Sequence, residues 1–92
     1  MKLVINTCYG GFGIKRSIAE AYGFNKYDES RTNKKLIELI ERGVDCNNSC
    51  SRLEVVDIPD EATDYEIIDC DGAENIRYVI DGKIKYLHGY RG

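Results

Sequence analysis

A chain of 92 residues has the length of a single domain, which excludes two-domain enzymes. With 42% hydrophobic residues and one proline it has the makings of a packed core, yet so short a chain buries only about 60–65% of its unfolded surface, so self-association is expected. The net charge of −3 argues against a dedicated duplex-DNA binder, and the absence of any run of about 18 apolar residues or a signal-peptide h-region predicts no membrane contact and a cytoplasmic protein.

In chain order, Lys2 to Tyr9 is β-branched and apolar and predicts a first strand buried on both faces, ending at Gly10-Gly11. Ile14, Ile18, Ala21 and Tyr22 lie on one face of a predicted helix over 14–22, which Gly23 would stop. A polar connection, 24–31, precedes a second helix over 33–42 with Leu36, Ile37 and Ile40 on its core face and Gly43 as its end. Within that connection Asp28 to Asn33 offers N-cap side chains and a local Asp28/Arg31 pair. Strands are predicted over 53–58, stopped by Pro59, and over 65–70, stopped by Asp71-Gly72. Asp81-Gly82 then marks a type I′ hairpin pairing Val79 with Ile84, Tyr78 with Lys85 and Arg77 with Tyr86. The order βααββββ predicts a single α+β domain with a mainly antiparallel sheet covered by two helices.

Charge is divided unevenly along the chain. Residues 1–44 hold eight Lys/Arg against five Asp/Glu, and residues 45–92 hold five against eleven, so an anion site should draw on the first half. The stretch Tyr9-Gly10-Gly11-Phe12-Gly13-Ile14-Lys15-Arg16 joins a strand to a helix through three glycines and two cations. That is a plausible phosphate cradle, although it satisfies neither the Walker A nor the GxGxxG pattern. Its bland reading is a tight turn with solvated cations. Tyr9 could stack a base, Phe12 reads as a core residue, and Arg31 could grip a phosphate. The 88–91 tail, with His88, Tyr90 and Arg91, could reach a neighbouring subunit.

Catalytic and metal chemistry are poorly supplied. One histidine and no cysteine with a sequence-local base leave no nucleophile pair, so a hydrolase is the weakest reading. Cys46-x3-Cys50 lacks a second ligand pair for zinc. The acidic stretch from Asp57 to Asp71 lacks EF-hand spacing. Reduced thiols are expected, with Cys8 and Cys70 as small buried residues in strands. No cofactor is expected.

The segments VINTCYGGFG, YDESRTNKKLIELIERG and LEVVDIPDEATDYEI, with the following DG, resemble a widespread family of small phage-encoded proteins. Ile14-Lys15 departs from the family's Leu-Ser, and the 87–90 tail departs from its His-rich, Trp-containing end. The family resembles in turn the viral sponges of the anti-CBASS type. That resemblance implies a non-catalytic homo-oligomer in the infected host cell that binds and sequesters cyclic di- or oligonucleotides without cleaving them. The ligand contacts then expected are Asn6, Tyr9, Gly10, Gly11, Phe12, Gly13, Lys15, Arg16, Arg31, Tyr86, His88 and Tyr90. The competing reading is a phage protein that binds a host protein through strand edges or tyrosines, its glycine loop purely structural.

Overall fold

The computed structural model describes residues 1–88, His88 by its backbone alone. Tyr90 and Arg91, and the side chain of His88, lie outside the described residues. The chain is α+β, with β1 (Lys2–Asn6), α1 (Arg16–Tyr22), α2 (Lys34–Glu41), β2 (Leu53–Asp57), β3 (Asp64–Cys70), β4 (Ala73–Ile80) and β5 (Lys83–His88). The sheet is divided in two: β1 pairs antiparallel with β2, and β3, β4 and β5 form an antiparallel meander.

The alternation of side chains along β1 explains the division. Val4 faces one way and packs with Ile14, Leu36, Ile37, Leu39 and Leu53. Leu3 and Ile5 face the other way and pack with Ile58 and Ile76 of the meander side. Each of these β1 side chains is fully buried, contributing about 1.5–3 kcal/mol of hydrophobic stabilisation. A two-stranded ribbon with an apolar residue on both faces needs a cover on both, and the helices and the meander supply one each.

Local chemistry sets the element ends. Asn33 caps α2, its Oδ1 accepting from the N–H groups of Lys35 and Leu36 at 2.9 and 3.1 Å. Gly23 closes α1 in the left-handed region, φ 71°. Both hairpins turn through Asp-Gly pairs with positive φ, Asp71-Gly72 and Asp81-Gly82, and the second gives the expected register, Val79 opposite Ile84 and Arg77 opposite Tyr86.

Two elements are shorter than expected by two or more residues at one end. Helix α1 starts at Arg16 because Ile14 bridges Asn47 as isolated strand and donates its N–H to the Lys26 carbonyl, and Lys15 is extended. Strand β1 ends at Asn6 because the chain turns there onto the 45–52 loop.

Candidate functional site

At the end of β1 the glycine loop lies between two walls that are remote in sequence. A Cβ on Gly10 would collide with the carbonyl oxygen of Cys50, and one on Gly13 with the side-chain amide of Asn48. From the opposite side a Cβ on Gly72, in the β3–β4 turn, would collide with the Tyr9 carbonyl and lie 2.6 Å from the Gly11 nitrogen. Gly10 and Gly13 are thus demanded by close backbone approach. Gly11 differs: its φ is +90°, and the space where a Cβ would stand is open.

Asn6 is the hub of this junction and is fully buried. Its Nδ2 donates to the Cys8 and Gly72 carbonyls, both at 2.7 Å, and its Oδ1 accepts from the Arg52 N–H at 2.8 Å. The Asn6 N–H donates to Glu74 Oε1 at 2.7 Å. With its N–H and both side-chain polar atoms engaged by protein, Asn6 holds three segments together.

Arg31 is also spoken for. Its guanidinium forms a two-pronged pair with Glu74, Nη1 to Oε1 at 2.5 Å and Nη2 to Oε2 at 2.8 Å, and Nη1 also reaches the Val4 carbonyl. The same group stacks over the Phe12 ring, 3.7 Å from its centroid. Glu74 is 4% exposed, and Arg31 gives this buried side chain a charged partner. The expected Asp28/Arg31 pair gives way to this one, because planar guanidinium matches carboxylate bidentately, and a phosphate at Arg31 would have to share the guanidinium with Glu74. Phe12 packs against the helix-side core under Arg31, as its core reading requires.

The remaining candidates stay at the surface. Tyr9 is 57% exposed beside the loop. Lys15 and Arg16 are exposed where the loop enters α1; Arg16 Nε donates to Glu20, one turn on, at 3.0 Å. Phe12 and Gly13 donate no backbone hydrogen bond among the described residues. The structure adds Asn48, whose amide stands over Gly13, and Tyr27, whose ring lies 3.5 Å from the Gly13 Cβ position, with the Lys26 ammonium 5.1 Å from the Tyr27 ring centre. Sequence reasoning missed both residues; the Asn-Ser-rich composition of 47–51 was the one local sign that this loop would serve as a wall.

Tyr86 is not gathered into the loop. It shares a sheet face with Arg77, opposite to the Ile76 and Leu87 face that looks toward β1, and Arg77 stands four residues, roughly 13 Å, along β4 from the hairpin end that touches the loop. The cysteine expectation also changes. Cys46 is the buried one, within the helix-side core, and burial pushes its thiol up. Cys8 follows β1 half-buried, and Cys70 is exposed at the end of β3, because it lies three residues from the inward Ile67 and so on the other face.

Beside the loop, burial opposes ionisation of Glu29, but hydrogen bonds from the Asn25 N–H, the Asn33 side chain and the Ser30 N–H outweigh it and hold the carboxyl below its ordinary value. These bonds brace the 24–31 segment that presents Arg31 and Tyr27. At the opposite end of β1 a cleft of about 720 Å³ is lined by Met1, Lys2, Ile37 and Tyr65, among others, with the Lys2–Glu41 and Arg42–Glu38 pairs at its rim. No helix is long and apolar enough to cross a membrane among the described residues. A comparison of the chain with protein-family models, with curated proteins and with solved structures found no match.

Proposed function

We propose that this protein binds cyclic di- or oligonucleotide signals and sequesters them without cleaving them, as a phage immune-evasion sponge in the cytoplasm of the infected cell. The observation that carries the reading is the opening at Gly11. Its half-buried backbone is bare of a Cβ and is followed by the Phe12 N–H, which has no backbone partner among the described residues. Exposed Lys15 and Arg16 follow directly, and Tyr9 and Tyr27 offer ring faces for bases. The resemblance of the VINTCYGGFG opening to small phage-encoded proteins supports the same reading.

On this reading Tyr9, Gly11, Lys15 and Arg16 are the contacts, joined by Asn48 and Tyr27, while Asn6, Phe12, Gly13 and Arg31 shape the loop. Two phosphates need two cations or a cluster of N–H donors, and each charge-assisted hydrogen bond contributes roughly 1.5–3 kcal/mol. Calorimetric titration with cyclic dinucleotides tests this. Lys15→Ala or Arg16→Ala should weaken binding by about tenfold or more, corresponding to ~1.4 kcal/mol, and Gly11→Val should weaken it by filling the opening. Wild-type affinity in all three folded variants would show that the loop is a turn and nothing more.

A second reading, capture of a host protein, is favoured by one observation. Ile84 and Tyr86, each 57% exposed, stand on adjacent rows of the meander face turned away from β1. Co-purification of a host protein that is lost on Tyr86→Ser and kept on Lys15→Ala would favour it over the sponge.

A further inference from the structure

The cysteines that the sequence spaces as a pair are not the ones that the fold brings together. Cys46 is 2% exposed among Val4, Leu36 and Leu39, out of reach of solvent oxidants. Cys50, four residues on, is exposed. Cys8, half-buried at the mouth of the glycine loop, donates its thiol to the Cys50 carbonyl oxygen at 2.9 Å. The backbones around the two cysteines are also in contact, since a Cβ on Gly10 would lie 2.8 Å from Cys50 Cβ.

These contacts bound the geometry of a bond between the two sulfurs. A thiol 2.9 Å from the neighbour's carbonyl oxygen keeps the two Cα atoms within about 8 Å at full extension, and closer at hydrogen-bonding angles. A disulfide spans roughly 4.4–6.8 Å between Cα atoms. The Cys50 sulfur now rests 3.7 Å from Ser49 Oγ, so closing the bond requires a rotation about its χ1 and a shift of the exposed turn.

We propose that Cys8 and Cys50 are an oxidation site, closed by a hydroperoxide into an intramolecular disulfide that staples the glycine loop to the 45–52 loop. The exposed Cys50 thiolate attacks one peroxide oxygen, the O–O bond breaks, and hydroxide leaves, giving a sulfenic acid. The Cys8 thiolate then attacks that sulfur, the S–S bond forms, and the sulfenic oxygen leaves as hydroxide. Two thiols lose two electrons and two protons, and one hydrogen peroxide becomes two waters. The proposal stands whether or not the loop binds a nucleotide, because it concerns the two walls of the loop and not its occupant.

The test is oxidation of the reduced, purified full chain with stoichiometric hydrogen peroxide, alkylation of remaining thiols, and non-reducing tryptic mass spectrometry. The expected product has no covalent link between chains and two fewer alkylatable thiols per chain, with tryptic peptides 3–15 and 43–52 joined. Peptide 43–52 carries both Cys46 and Cys50. Cys50→Ser must therefore abolish the link, as must Cys8→Ser, whereas Cys70→Ser must leave it. A link that survives Cys50→Ser, a link through peptide 53–77 with Cys70, dimers joined between chains, or sulfinic acids without a link would each overturn the proposal.

Discussion

Arg31→Ala is the substitution on which the structural account of the loop depends. Glu74 is 4% exposed and its two oxygens are held by the Arg31 guanidinium and by the Asn6 N–H. Removing the arginine leaves a carboxylate buried with one neutral donor, and breaking a buried pair from one side costs about 3–5 kcal/mol. The stacking over Phe12 is lost as well, for a further ~1 kcal/mol. A domain of this size has a total stability on the order of 5–14 kcal/mol, so a loss of about 4–6 kcal/mol would remove roughly a third or more of it. Glu74→Gln should cost less, about 1.5–3 kcal/mol, because it keeps an acceptor for Asn6 and leaves the charge on Arg31, whose 21% exposure gives it access to water. Replacing both partners, as Arg31→Met with Glu74→Leu, should recover part of the loss. Urea denaturation followed by circular dichroism measures all three. A cost below about 1 kcal/mol for Arg31→Ala at unchanged m, or a larger cost for Glu74→Gln, would refute the reasoning and return Arg31 to the ligand candidates.

Gly72→Ala and Gly82→Ala occupy equivalent turn positions at φ 94° and 72°, but only the first would thrust a Cβ into Tyr9 and Gly11; thermal melts should show about 1 kcal/mol lost at Gly82 and at least ~2 kcal/mol more at Gly72. Glu29 has a folded-state pKa depressed below 4.5, so its contribution is present above that pH and is lost as pH falls through the lower folded value. The stability difference between wild type and Glu29→Ala should therefore shrink on acidification below about pH 4.5, and a difference that grows there would contradict the assignment. Self-association is expected of so small a core with its site on a shallow loop, and light scattering at micromolar concentration should give a multiple of the 10.5 kDa chain; the chain mass alone would refute it.

The parts of the fold legible in the sequence are those whose causes are local. Asp81-Gly82 between alternating strands specifies its own turn and register, and α2 carries its cap and its apolar face within ten residues. The α+β class followed from the order of such elements. What the sequence hid is contact between distant segments. Glu74 lies 43 residues from Arg31, and nothing near either residue marks the pair. Apolar spacing alone placed Ile14 in a helix, where a backbone bridge to Asn47 takes it instead. The three glycines were legible as special, but not which of them are packed against Cys50 and Asn48 and which one is open. Composition could flag 47–51 as a loop; only the fold makes it a wall of the site.

The most direct test of the central claim is retention of an intact ligand. The purified protein is incubated with cyclic dinucleotides, freed of unbound nucleotide by gel filtration, and heated, and the released material is identified by chromatography and mass spectrometry. The account predicts near-stoichiometric recovery of the uncleaved cyclic dinucleotide from wild type and sharply reduced recovery from a folded Lys15→Ala, Arg16→Ala double variant. Linear or hydrolysed products, or no nucleotide retained by wild type at micromolar concentrations, would contradict it.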